Sequence, residues 1–285
     1  MFTSDLLLCH SLQGSELYSA VTLMNFFTDQ LGNTIALTTP PKRIISLVPS
    51  QTELLYDLGL ETEVIGITKF CIHPDTWFRT KIRVGGTKNV NIETVRSLQP
   101  DLIIANKEEN VKQQIEALQS IAPVWVSDVE DLDEALQMIV ALGEITGKPK
   151  KGIDLATTIA QEFQTLPTIN HELSTAYLIW KDPYMTVGGD TFINDMLQRC
   201  GFRNIFADQQ RYPEINIEKL KTTGCKLLLL SSEPYPFNRK HIEDLQQQLT
   251  QTKILLVDGE MFSWYGSRLQ KASSYFAELI KQVEQ

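Results

Sequence analysis

The chain has 285 residues, 42% hydrophobic and 21% charged, so it can bury a core sized for one large domain or two lobes. Its formal net charge of −9 argues against a nucleic-acid footprint, because phosphate binding needs a basic surface. No run approaches the roughly 18 apolar residues of a membrane span. Cys9, Cys71, Cys200 and Cys225 show no C-x-x-C spacing, so they are expected as buried thiols and not as zinc ligands or a redox pair.

In chain order, no Lys or Arg precedes Lys42, and the first apolar run, Leu6-Leu7-Leu8-Cys9, is far shorter than a signal-peptide core. Met24 offers a second start. Residues 25–40 read as a hairpin turning at Leu31-Gly32-Asn33. "RIISLVPS" is a buried strand entering a polar loop, and "QTELLYDLG" a helix stopped by Gly59. Strands follow at 64–68 and, shorter, in "KIRVGG". Then come helix 91–98, strand 101–105, helix 108–119, strand 123–127 and helix 131–146, the last with Leu132, Leu136, Ile139, Val140 and Leu142 at helical spacing.

Pro149 opens a helix reaching about residue 166, with an apolar stripe of Ile153, Ala156, Ile159, Ala160 and Phe163. The alternation then restarts: strand 175–180, helix 191–201, a helix and strand in "NIEKLKTTGCKLLLLSS", helix 238–250, strand 253–257 and helix 267–283. Strands alternating with helices predict an α/β fold with parallel sheets. The expected architecture is two Rossmann-like lobes joined by a single long backbone helix. Its divisions are an N-terminal extension and hairpin (1–42), a first lobe (43–148), the linking helix (149–167) and a second lobe (168–285).

One phrase occurs twice. "NIETVRSLQPDLIIAN" begins at Asn91 and "NIEKLKTTGCKLLLLSS" at Asn216, an offset of 125 (216 minus 91) that also relates Leu102 to Leu227. One helix-then-strand unit thus stands in each lobe, opened each time by a glutamate, Glu93 or Glu218. In open α/β sheets ligands sit outside the carboxyl ends of the strands, which predicts a ligand cleft bordered by those loops. The loops are rich in aromatics (Phe70, Trp77, Trp180, Tyr184, Tyr212, Tyr235, Phe237, Phe262, Trp264 and Tyr265) and carry Lys69, Lys88, Lys107, Lys181, Arg211 and Arg268. Such a lining suits a ligand with a large flat face and anionic groups.

Catalytic templates are missing. There is no G-x-S-x-G elbow, and neither "VGGTK" nor "VGGDT" has phosphate-loop or dinucleotide spacing. His10, His73, His171 and His241 are scattered and match no H-E-x-x-H pattern; His73 alone sits in a cleft loop, as a weak chelate contact. The residues favour a binding protein over an enzyme, with no resident cofactor or metal.

"PKRIISLVPSQTELLYDLGL", "VGGTKNVNIETVRSLQPDLIIAN", "GGDTFINDMLQRCGFRNIF" and "YPEINIEKL", in that order, resemble the class III periplasmic binding proteins. These are the solute receptors of ABC importers for cobalamin and ferric siderophores, and the likeness is greatest to the cobalamin-binding branch. It runs from about residue 27 to the end. The resemblance implies two α/β lobes on a rigid helix, and a corrinoid or ferric chelate held in the cleft as transported ligand. It places Trp180 and Tyr212 at ligand-facing aromatic positions. Met261 falls where the family often has Trp, and Thr87 and Asn106 stand where that branch has aromatics. These departures favour a bulky chelate in general over cobalamin in particular. With Phe70, His73, Lys107, Phe262 and Trp264 from the loops, these are the expected ligand contacts.

The resemblance also implies a role for the repeated phrase. Family members present one glutamate on each lobe to arginines of the two permease subunits, and Glu93 and Glu218 match. The implied partners are an ABC permease dimer with its ATPase, met by a monomeric receptor. The family is periplasmic or cell-surface. With no export signal visible, a cytoplasmic corrinoid- or chelate-handling protein, or enzyme accessory, is the alternative expectation.

Overall fold

A computed structural model describes residues 24–167, 169 and 173–285. Cys9, the run at 6–9, His10 and His171 lie outside the described residues.

The described chain forms two compact units. One holds the residues up to Asp128 together with Val140–Gly152; the other holds Val129–Ile139 and Ile153–Gln285. In the first, five parallel strands lie in the order Ile82–Arg83, Val64–Ile67, Ile44–Ser46, Leu102–Asn106, Val124–Ser127. Leu102–Asn106 is buried along its whole length, as a strand covered on both faces must be, which explains its unbroken apolar spelling. Its Ile103 packs in one core with Ile45, Leu47, Val95, Leu118 and Val126.

The hairpin pairs Asn25–Thr28 antiparallel with Thr34–Leu37. The Asp29 carboxylate accepts the N–H groups of Leu31 (3.0 Å) and Asn33 (2.7 Å), and Gly32 takes the positive φ of 85° that the turn requires. Trp125 fastens this hairpin to the sheet by donating Nε1–H to the Thr28 carbonyl, 3.3 Å away.

The second unit has four parallel strands in the order Phe202–Asn204, Leu173–Leu178, Leu227–Ser231, Lys253–Val257. A separate antiparallel pair joins Tyr184–Met185 to Glu214–Ile215. The repeated phrase occupies matching places. Leu102–Asn106 and Leu227–Ser231 each lie between the first and the last strand, in chain order, of their own sheet. Asn91 caps helix Ile92–Ser97 by accepting the Thr94 N–H at 3.0 Å, and Asn216 caps helix Ile217–Thr222 by accepting the Lys219 N–H at 2.9 Å. Val95 and Leu220 fall on the buried side of these helices.

The boundary between the units falls at three places in the chain: after Asp128, inside helix Leu132–Ile145 and inside helix Pro149–Gln164, the last being the long helix expected from the sequence. Residues 129–139 count with the second unit, where the Leu132 N–H reaches the Asp195 carboxylate at 2.9 Å and Glu130 lies 3.7 Å from Arg211. Apolar periodicity shows that a helix has a face to bury but not which neighbour will cover it. Short elements also went unread: helices Asp75–Thr80 and Gly259–Ser263, strand Phe202–Asn204 and the Tyr184–Met185 pair. At two to six residues none completes enough of a period to show. Among the described residues no helix is long and apolar enough to cross a membrane.

Candidate functional site

At the carboxyl end of the first sheet, buried polar side chains are knitted together. Thr52 Oγ1 donates toward Ser46 Oγ and the Val48 carbonyl, both at 2.8 Å, and lies 3.1 Å from Cys71 Sγ. Gln51 Nε2 donates to Ser127 Oγ. Asn106 donates its amide to the Ser127 carbonyl (3.1 Å) and hydroxyl (3.0 Å), while its Oδ1 accepts the N–H groups of Glu108 (2.8 Å) and Glu109 (2.9 Å). Two donors and two acceptor sites are the whole capacity of an amide side chain. Asn106 is buried and fully engaged, so it shapes the 106–110 loop and is not free to contact a ligand, contrary to the sequence expectation.

Other expected contacts on this unit stay within reach of solvent. Phe70 is 51% exposed; its ring approaches Gly86 so closely that an added Cβ there would lie 3.1 Å from it. Lys69 Nζ stands 5.0 Å from the centre of the same ring. His73 and Thr87 are half-buried. The Thr87 carbonyl accepts from Asn110 Nδ2 at 3.0 Å. Lys107 is exposed and pairs with Asp128 at 2.5 Å.

On the second unit, Trp180 is 40% exposed and meets the Tyr235 ring edge-on at 5.7 Å. Tyr235 packs on Phe237 at 4.7 Å, and its hydroxyl lies 3.1 Å from His241 Nε2. His241 Nδ1 accepts the Asn238 N–H at 3.0 Å, so the neutral ring carries its proton on Nε2 and donates to Tyr235. Tyr212 and Met261 are half-buried, Met261 on the short helix Gly259–Ser263.

Phe262 and Trp264 correct the expectation. Phe262 is fully buried, 5.1 Å from the Tyr177 ring and 4.7 Å from Phe276, and belongs to the core. Trp264 is buried, donates Nε1–H to Glu233 Oε1 at 3.0 Å and stacks under the Arg268 guanidinium at 4.7 Å. Arg268 in turn pairs with Glu260. Of the loop residues 261 to 264, the helical turn points Phe262 inward and leaves Met261 outward.

Sequence reasoning missed Glu233, which follows the strand Leu227–Ser231 and accepts from Ser263 Oγ (2.8 Å) as well as Trp264. Burial raises its carboxyl above the ordinary range, helped by Glu260 and Asp258 and opposed by those two donors. It also missed His241 as the support of Tyr235; the prolines on both sides of Tyr235 in "EPYPF" were the available signal. Cys71, Cys200 and Cys225 are buried free thiols, each pushed up by burial, Cys225 to about 11. Among the described residues no group of three or more His, Cys, Asp or Glu is placed to hold a metal ion.

Glu93 and Glu218 project from the first turns of their short helices, with side chains 82% and 75% exposed. Each faces a cation three residues on: Arg96 at 3.6 Å and Lys221 at 2.7 Å. The two positions therefore agree in cap, helix length, burial of the next apolar residue and charge pairing.

This arrangement of paired parallel sheets with aromatic carboxyl-end loops accords with the family comparison, in which the periplasmic binding protein pattern matches residues 44–255. The chain belongs to the periplasmic binding protein family. A vitamin B12-binding protein of Vibrio cholerae is 30% identical over 197 residues, covering 67% of this chain and 71% of that one. An ABC transporter substrate-binding lipoprotein of Bacillus subtilis is 30% identical over 204 residues, 67% of this chain and just under two thirds (64%) of its own length. Among solved structures, the periplasmic catecholate-siderophore binding protein of Vibrio cholerae shares the fold with a TM-score of 0.73 at 16% identity, over 91% of this chain and 99% of that one.

Proposed function

We propose that this protein is the substrate-binding receptor of an ABC importer. It captures a bulky metal chelate, a corrinoid such as cobalamin or a ferric siderophore, and delivers it to the permease. The observation that carries the ligand class is Trp180: a large aromatic left 40% exposed at the carboxyl end of a sheet, braced edge-on by Tyr235. An indole held in place by packing offers a flat apolar surface with little ordering left to do on binding. Phe70 offers a second such surface at the carboxyl end of the other sheet. Tyr212, Met261, His73 and Thr87, all half-buried on the same sets of loops, complete the contacts. The metal arrives with the ligand as cargo.

Docking to the permease falls to Glu93 and Glu218, one per unit, each exposed on an equivalent first turn. Two matching carboxylates suit a transporter with twofold symmetry, and such charges set register and encounter rate more than affinity. The test of the ligand class is an absorbance titration of the purified protein with cobalamin, a ferric siderophore and haem. A saturating spectral change with one of them is expected; no change with any would overturn the reading.

A further inference from the structure

We infer that Asp190 is a positioning residue for the chelate: it holds Arg211 in a left-handed backbone conformation, and that conformation sets the direction in which Tyr212 meets the ligand. The inference rests on the receptor reading above and adds a residue on which affinity depends at one remove.

Among the described residues, three other than glycine have a positive φ: Gln99 at 46°, Asp182 at 64° and Arg211 at 54°. Aspartate tolerates this region through its short polar side chain. Gln99 follows the end of helix Ile92–Ser97, where helices commonly close with such a residue. Neither reason applies to Arg211, so its neighbours must hold it there.

Those neighbours come from "VGGDT", residues 187–191. The Asp190 carboxylate accepts the Arg211 N–H at 2.6 Å, and the Arg211 carbonyl accepts the Gly188 N–H at 2.7 Å. The Asp190 carbonyl accepts from the Arg211 guanidinium at 3.4 Å, and Glu130 lies 3.7 Å from the same nitrogen. The two glycines let the segments touch. A Cβ on Gly188 would stand 2.4 Å from the Gln209 carbonyl oxygen, and one on Gly189 would stand 2.2 Å from that of Ala207. Gly189 and Thr186 donate N–H groups to the Gln209 and Pro213 carbonyls, at 2.9 and 3.0 Å. The glycine pair thus lays segment 207–213 directly on backbone, and Asp190 fixes the residue at which that segment turns.

The turn decides where Tyr212 points. Side chains alternate faces along an extended segment, and a left-handed residue breaks the alternation and redirects the side chain that follows. Beyond Tyr212, Pro213 leads into strand Glu214–Ile215, which is paired with Tyr184–Met185, so the chain is fixed on that side as well. Without the Asp190 carboxylate, Arg211 relaxes toward an ordinary negative φ. Only the molecules that keep the left-handed form then present Tyr212 as the ligand needs it, and apparent affinity falls by that fraction.

The test is a titration of wild type and variants with cyanocobalamin, ferrichrome and haemin. Asp190→Ala is expected to bind the probe that the wild type accepts about tenfold more weakly, the scale of the left-handed penalty at one residue. Asp190→Asn keeps an oxygen for the Arg211 N–H and should stay within about twofold of the wild type. Adding Arg211→Gly to Asp190→Ala should restore most of the loss, because glycine takes a positive φ unaided. In a Tyr212→Ala background, Asp190→Ala should weaken binding no further. Arg211→Val, whose branched side chain resists positive φ, should reproduce the loss with Asp190 in place, and it carries the test if Asp190→Ala does not fold. Wild-type affinity in Asp190→Ala, or a loss that persists in the Tyr212→Ala background or is not relieved by Arg211→Gly, overturns the inference and leaves the receptor reading standing. A wild type that binds none of the three probes overturns the receptor reading and this inference with it.

Discussion

Trp180 and Phe262 are both large aromatics on carboxyl-end loops of the same sheet, yet burial gives them opposite duties. Trp180 keeps 40% of its surface exposed, whereas Phe262 is enclosed by Tyr177, Tyr275 and Phe276. Trp180→Ala should weaken chelate binding by about 1–3 kcal/mol, the scale of burying one large side chain, and leave the melting temperature nearly unchanged. Phe262→Ala should cost about 3–5 kcal/mol of stability through the cavity it leaves. Denaturation and fluorescence-quenching titrations on the two variants separate these outcomes; a stable Phe262→Ala with lost binding would return that ring to the site. Glu233 makes a pH prediction. Its carboxyl titrates above the ordinary value of 4.5 because burial disfavours the charged form. The folded state therefore holds this proton longer than the unfolded one, and stability falls as pH rises from the ordinary value through the raised one. Glu233→Gln keeps an oxygen for Ser263 and Trp264 and has nothing to ionise. It should melt higher than the wild type at pH 7 and show no advantage at pH 4; parallel melting curves across that range would refute the assignment.

Among the elements, the two six-residue helices of the repeated phrase are too short to stand alone. What holds each is an asparagine cap and one buried apolar residue, Val95 or Leu220. Asn91→Ala and Asn216→Ala should each cost about 1 kcal/mol of stability. The caps share no partner, so the double variant should lose the sum within about 0.5 kcal/mol, as read from urea denaturation. A loss well below that sum would mean that the two units do not unfold together. Long elements were legible: the stripe from Leu132 to Leu142 and the all-apolar strands 102–104 and 227–230 carry their period or their burial in plain spelling. The pair Tyr184–Met185 with Glu214–Ile215 was not, because two-residue strands exist only through a partner some thirty positions away.

For the whole molecule, the repeated glutamates matter as a pair. Their ion pairs to Arg96 and Lys221 are exposed, and such pairs contribute at most about 1 kcal/mol to stability. Reversing both, Glu93→Arg with Glu218→Arg, should leave chelate affinity and folding intact and abolish uptake in cells carrying the cognate permease. Either change alone should give a partial defect. Normal uptake by the double variant would leave these residues only their place in a helical first turn. Loss of chelate binding would assign them to the ligand site instead.

The chain spells its own α/β alternation, its duplicated helix-strand unit and the two exposed glutamates, because each depends on residues close in sequence: a period, a cap, a first turn. Which of the loop side chains stay exposed was only partly legible. Trp180 and Phe70 look no different from Phe262 and Trp264 as letters in aromatic loops. Which of them is covered depends on what distant segments bring, here Tyr177 and Phe276 around Phe262 and Glu233 beside Trp264. Asn106 read as a contact until Ser127, Glu108 and Glu109 used every hydrogen bond it can make. Local pattern decides the secondary structure, and burial is a sum over neighbours that only the tertiary structure assembles.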